Sequence, residues 1–175
     1  MGPRNFMITA PILTGGEFTP TMAEAKQAIV TYKRANPEVV SFWQDLQIAM
    51  FRSIGKDFVI TLPSGREMRY FDVNKQGDKG VVLTQLGGKR GYFYGPKLAE
   101  NCAQGYARDL MASSLLEVQH AVDNGMPGRI CFHVHDEIVY SCPTAEAPAV
   151  PEKIKTLMTT APHWCPNLPL DVEYE

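Results

Sequence analysis

Apolar residues recur at helical spacing along the first third of the chain, and strand-like and helical stretches alternate beyond it. Ala25, Ala28, Ile29 and Tyr32 give one side of a helix whose start the pattern puts near Thr19, with Thr and Pro at its beginning and Glu24 in the first turn. Asn36-Pro37 interrupts it, because a residue before proline is pushed out of the helical region. Val40, Trp43, Leu46 and Ala49 or Met50 predict a second helix over residues 37–54, with these side chains in the core. Residues 58–62 and 67–73 predict two strands around the turn Pro63-Ser64-Gly65-Arg66. A long helix is predicted over residues 97–123, ended by Asn124-Gly125 and Pro127. Residues 130–142 read as two antiparallel strands joined at His135-Asp136-Glu137. A linker-like turn over 143–151 leads to a short amphipathic helix over 151–160, and a proline-stiffened tail ends strand-like at 168–174. Residues 1–16 are Gly- and Pro-rich and read as a loop, or as the tail of an element that begins elsewhere. Residues 74–80 read as a polar turn and Gly87-Gly88-Lys89-Arg90-Gly91 as a basic loop.

This order of elements is α+β. A chain of 175 residues holds one domain with a real core, or two small lobes sharing one. No apolar run spans a bilayer and the N-terminus lacks signal-peptide architecture. Cys102, Cys131, Cys142 and Cys165 form no CxxC pair, so reduced thiols in a cytoplasmic protein are the simplest account. A net charge of −2 is not that of a stand-alone nucleic-acid binder, which usually carries a basic face.

Candidate chemistry begins at the hairpin. Adjacent carboxylates, Asp136 and Glu137, repel one another, and a metal cation or other positive partner would offset that repulsion. The competing reading is a charged, solvated tip. The flanking strands are apolar, so the carboxylates are expected at the end of a buried element. On the long helix, Lys97, Asn101, Gln104 and Arg108 recur at i, i+4, i+7 and i+11 and share one side. A solvated face would account for Lys and Arg, but Asn and Gln are less common there than Glu and Lys. Amide and guanidinium donors match the acceptors that every base pair offers in the minor groove, whatever its sequence. Gly87-Gly88-Lys89 lacks the Lys-Ser/Thr order of a P-loop.

Taken together, these segments resemble the C-terminal portion of a family A (DNA polymerase I-like) DNA polymerase of the phage type. His135-Asp136-Glu137 between apolar strands resembles the palm motif C. Residues 97–109 resemble the long palm helix that follows the primer–template minor groove, and Leu62-Pro63-Ser64-Gly65-Arg66 resembles the family's LPSGR-like hairpin. Tyr32-Lys33-Arg34-Ala35-Asn36-Pro37 followed by Trp43 resembles the helices after the nucleotide-binding finger helix. Pro162-His163-Trp164 with Leu168-Pro169-Leu170 resembles the C-terminal segment.

The resemblance implies a C-terminal fingers part at residues 1–96 and a C-terminal palm part at 97–175. It implies two Mg²⁺ ions, roughly 3.5–4 Å apart, that activate the primer 3′-hydroxyl and stabilise pyrophosphate. Asp136 is then a metal-bridging aspartate, Glu137 an accessory carboxylate, and His135 a positioner of the primer terminus, its alternative being a hydrogen-bonded core or turn histidine. Lys97, Asn101, Gln104 and Arg108 contact the duplex; Arg66 and the Lys89-Arg90 loop touch backbone phosphate; Asp109 is structural. The finger helix with its Arg, Lys and Tyr and the motif A aspartate belong upstream, Met1-Gly2 resembling the residues just after that helix. The implied partners are primer–template DNA, dNTP and an upstream polymerase polypeptide, in a host cytoplasm if the chain is phage-encoded. Two other readings stand beside this one: a non-catalytic remnant that binds DNA or protein, and a metallohydrolase using Cys131, His133 and His135, whose side chains share a side only if the strand is unbroken.

Overall fold

The computed structural model describes residues 2–76 and 80–174, and the middle of the anticipated 74–80 turn lies outside them. Three helices come first: α1 (Pro3–Leu13), α2 (Met22–Ala35) and α3 (Pro37–Arg52). Four strands follow, β1 (Phe58–Thr61), β2 (Glu67–Gln76), β3 (Gly80–Gln85) and β4 (Arg90–Phe93). The long helix α4 (Gly95–Asp123), the hairpin β5 (Arg129–Val134) and β6 (Glu137–Ser141), and α5 (Val150–Thr159) complete the chain. The fold is α+β: an antiparallel meander in the order β1-β2-β3-β4, and a separate two-stranded sheet.

The N-terminal residues depart from the loop anticipated for them. Pro3 sits in the first turn of α1, where its missing N–H costs nothing, and Pro11 falls near the end. Ala10 is buried, and Phe6 meets Phe18 edge-on with ring centres 6.4 Å apart. Phe6, Met7, Ile8, Ala10, Ile12 and Leu13 fall around the helix rather than along one side, so no amphipathic period marks it. The next helix begins at Met22 rather than Thr19 because Thr21 caps it. The Thr21 hydroxyl accepts the Glu24 N–H, and the Glu24 carboxylate accepts the Thr21 N–H at 2.8 Å. These bonds hold the Glu24 carboxyl below its ordinary pKa.

The basic glycine loop is the turn of a further hairpin. Gly87 and Gly88 take positive φ, which lets β3 fold back on β4, and Val81 and Leu83 point into the core. A bulge between Phe71 and Asn74, with Asp72 at φ 50, bends β2. The core joins Leu46 and Met50 of α3 to Phe58, Tyr70, Val73, Val81, Leu83 and Phe93 of the sheet, and to Leu98 and Cys102 of α4. It therefore runs continuously across residues 96–97. Helices α3 and α4 approach closely at Gly95, whose N–H donates to Gln47 Oε1 at 2.6 Å; a Cβ there would lie 2.0 Å from the Trp43 carbonyl oxygen.

The tail does not form the strand expected at 168–174. It lies along α5 through Lys155–Asp171 at 3.4 Å and a hydrogen bond from the Tyr174 hydroxyl to Glu152. Its prolines remove ladder donors, and among the described residues no strand pairs with it. Nearer the core, Trp164 packs edge-on against Tyr106 at 5.5 Å, and the Tyr106 hydroxyl bonds Cys165 Sγ. Among the described residues no helix is long and apolar enough to cross a membrane.

Candidate functional site

Val134 pairs with Glu137, which leaves His135-Asp136 as a two-residue turn. Such turns need a left-handed residue at their first position, and His135 supplies it at φ 51, a region His tolerates better than most. The ladder shifts between Ile130 and Phe132, so Cys131 is an extra residue in β5. Partners across a ladder share a face, and faces alternate along each strand. Ile130 with Tyr140, and His133 with Ile138, therefore share one face; Phe132 with Val139, and Val134 with Glu137, share the other.

The first face is the one turned towards α4, and its apolar members Ile130, Ile138 and Tyr140 are partly covered. The second is open: Phe132 is 56% exposed, and Val134 and Val139 are exposed as well. This corrects the expectation of a buried hairpin. Apolar strand composition implied cover on both faces, but two strands carrying one helix can cover only one.

Between α4 and the hairpin tip lies a cavity of about 600 Å³. Gln104, Arg108, Met111 and Leu115 line it from the helix, and His133, His135 and Asp136 from the hairpin. Thus two members of the anticipated donor row meet the motif-bearing turn across one space. The other two are engaged elsewhere. Asn101 Nδ2 donates to the Tyr70 hydroxyl at 2.9 Å, while burial pushes the Tyr70 pKa up. Lys97 Nζ donates to the Tyr92 carbonyl at 3.2 Å and lies 4.4 Å over the Phe93 ring. The row is split along the helix: its N-terminal half packs on the meander and its C-terminal half meets the hairpin.

Arg66 lies at the α4 surface rather than in the cavity lining. Its Nε donates to Asp109 Oδ1 at 2.6 Å and its Nη2 to the Gly105 carbonyl at 2.9 Å. The Ser64 hydroxyl donates to the other Asp109 oxygen at 2.5 Å. Gly105 permits this approach, since a Cβ would lie 2.9 Å from Leu62 Cδ1. The Pro63–Arg66 turn is thereby fastened one residue beyond Arg108. Lys89 and Arg90 sit at the β3–β4 turn, outside the cavity lining.

The donor set suits a divalent cation only in part. Asp136 offers a hard oxygen to the cavity, whereas Glu137 stands on the open face and does not line it. Among the described residues, no group of three or more His, Cys, Asp or Glu could hold a metal ion. That also leaves the Cys131–His133–His135 reading without a ligand set. His133 is the polar lining residue that the polymerase reading of the sequence did not count. Strand alternation puts it on the face opposite Phe132, but only the α4 packing identifies that face as the cavity wall.

Residues 16–175 match the family described as DNA polymerase family A. A DNA polymerase of Bacillus phage SP02 is 28% identical over 176 residues, a match covering 86% of this chain and 26% of that polymerase. The chain thus spans about a quarter of the length of this curated relative. No solved structure matches the chain significantly. With the matched segments running through the hairpin, the long helix and the Pro63–Arg66 turn, the chain belongs to DNA polymerase family A.

Proposed function

We propose that this chain furnishes one wall of a template-directed DNA polymerase site, in which nucleotidyl transfer to a primer 3′ end is completed by polypeptide outside it. The observation that carries the proposal is the shared cavity: helix-borne donors Gln104 and Arg108 face the turn carrying His135 and Asp136. In this reading Gln104 and Arg108 donate to minor-groove acceptors, Arg108 also offsetting phosphate charge, so the duplex is held without reading its sequence. His135 lies beside Asp136 and orients the primer terminus. Asp136 is a ligand of a divalent ion, Mg²⁺ by the hardness of its oxygen donors, with the other ligands supplied from elsewhere; Glu137 is at most an accessory carboxylate. When bound, such an ion activates the primer hydroxyl and offsets charge on the departing pyrophosphate. Lys97, Asn101 and Arg66 then act mainly by holding α4 in place, and residues 1–96 and 97–175 correspond to fingers-like and palm-like parts joined by one core.

Because one cavity-facing carboxylate is too few for a two-metal site, purified chain alone will not extend a primer. Adding the upstream polypeptide that carries the motif A aspartate restores extension, and Asp136→Asn abolishes it. Extension by the chain alone, or full activity of Asp136→Asn after reconstitution, refutes this assignment. A second reading, a non-catalytic DNA-binding remnant, is favoured by Glu137 facing away from the cavity. It predicts duplex binding sensitive to Gln104→Ala with no extension under any reconstitution.

A further inference from the structure

The β3–β4 turn carries a bare apolar side chain at its corner. The Gly88 N–H donates to the Gln85 carbonyl at 3.0 Å and the Gln85 N–H to the Lys89 carbonyl at 2.9 Å, which leaves Leu86 and Gly87 as the corner pair. Gly87, at φ 95, supplies the positive φ that the third residue of a type II turn takes. Leu86, just before it, is 85% exposed, more than any other large apolar side chain among the described residues. One exposed leucine is ordinary, but its surroundings are not. The hairpin behind it is stiff, with Val81, Leu83 and Phe93 buried in the core. Strand alternation also puts the two neighbouring cations on opposite sides of that hairpin. Gln85 pairs with the buried Tyr70, so Gln85 and Lys89, bonded to it, lie on the core side of the sheet. Arg90 pairs with Thr84 on the outer side, where Phe71 of β2 also pairs with Thr84 and Tyr92 follows two residues on. Tyr92 is 43% exposed. Among the described residues no ion pair engages Lys89 or Arg90, and Glu67, on the outer side of β2, is taken up by Arg69. Asp72 falls in the β2 bulge, where the alternation breaks.

We propose that this tip is a wedge for a DNA fork. Leu86 lies against the last base pair, and the two departing strands pass on either side of the hairpin. One strand runs along Arg90, Tyr92 and Phe71, and the other passes Lys89. An apolar side chain on a rigid support can enter between base steps, and the cost of that entry is lost stacking. A fork has already lost the stacking on one side of its last pair, so Leu86 meets an open base plane there. Cations hold phosphates whatever the sequence, and ring faces hold unpaired bases of any kind. A continuous duplex offers no open base plane, and a single strand offers no pair for Leu86 to lean on. Cations that straddle the hairpin favour two departing strands over one, since a single tail leaves one of them without a phosphate. Residues 85–91 contain no carboxylate, so in a chain of net charge −2 the tip is a local attractor for a polyanion. No residue of the α4–hairpin cavity takes part, and the inference therefore goes beyond the polymerase reading without resting on it.

Fluorescence anisotropy of the full chain with a dye-labelled fork, its duplex ending in two oligothymidylate tails, tests the wedge. The comparison DNAs are the same duplex with either tail alone, the same duplex with blunt ends, and oligothymidylate by itself. The fork should bind about fivefold or more tightly than each of them. 2-Aminopurine placed in the last base pair should brighten on binding as its stacking is disturbed. Leu86→Ser, a change at an exposed turn that leaves the circular dichroism unaltered, should abolish both the preference and the brightening, and Leu86→Met should keep both. Lys89→Gln and Arg90→Gln should each make log affinity less steep in log salt by about 0.7, the contribution of one single-strand phosphate contact. Gln104→Ala should weaken all the duplexes alike and leave the fork preference intact. The inference is overturned if the fork binds no better than the single-tailed duplexes, if folded Leu86→Ser keeps the preference, or if neither cation variant changes the salt slope. If Gln104→Ala leaves duplex binding untouched while Leu86→Ser removes the fork preference, the polymerase reading fails and the wedge stands; the reverse pattern sinks the wedge alone.

Discussion

Replacing Asp109 with alanine should unfasten the Pro63–Arg66 turn from the helix that carries Gln104 and Arg108. Asp109 is 10% exposed and Arg66 38%, so the pair lies between a surface ion pair and a buried one. Exposed pairs contribute about 0.2–1 kcal/mol, whereas removing one partner of a fully buried pair costs about 3–5 kcal/mol. Asp109→Ala strands the Ser64 hydroxyl and the Arg66 Nε–H together, while the Arg66 bond to the Gly105 carbonyl survives. Discounting for the solvent that reaches Arg66, we expect a loss of about 2 kcal/mol. With a urea slope near 2 kcal/mol per molar, the midpoint falls by about 1 M. A double-mutant cycle with Arg66→Ala, followed by circular dichroism in urea, should give a coupling of about 1 kcal/mol or more. A coupling below about 0.3 kcal/mol would refute the view that this pair locks the turn to α4.

Gly95→Ala should be more damaging, at about 3 kcal/mol or above, because its Cβ meets the Trp43 carbonyl oxygen rather than a yielding side chain; a near-native urea midpoint would contradict the α3–α4 packing. The Glu24 cap should weaken in acid. Its folded pKa is lowered, so its contribution is complete above the ordinary glutamate range and is lost as pH falls through the folded value. The stability gap between parent and Glu24→Ala should therefore shrink from pH 7 to pH 3, and a constant gap would contradict it. His135→Val should cost about 1–2 kcal/mol through its left-handed φ, while His135→Gly should not carry that penalty; equal losses would point to contacts instead.

The parts of the fold readable from residue order are those with strong local signals. The Asn36-Pro37 break separates α2 from α3, and Asn124-Gly125 follows directly on the end of α4. The motif hairpin was legible because Val134 and Glu137 flank a turn only two residues long. Strands β3 and β4 were not, because their period-two pattern is brief and Gly87-Gly88 looked like free loop. Helix α1 was hidden because proline usually argues against helix, yet Pro3 stands where it is harmless. For the site, spacing placed Gln104 and Arg108 on one face, but could not tell that Asn101 answers to the Tyr70 hydroxyl. Nor did any local pattern mark the extra residue at Cys131, which decides which side of the hairpin His133 occupies.

That uncovered side of the hairpin has a mechanical consequence. Asp136 sits on a two-stranded lever propped by α4 from one direction alone, with Phe132, Val134 and Val139 facing outward. A partner settling on those three side chains would press on the hairpin from behind, two to four residues from Asp136. In the proposed polymerase site, such a contact would bear on Asp136 from the back without meeting the DNA.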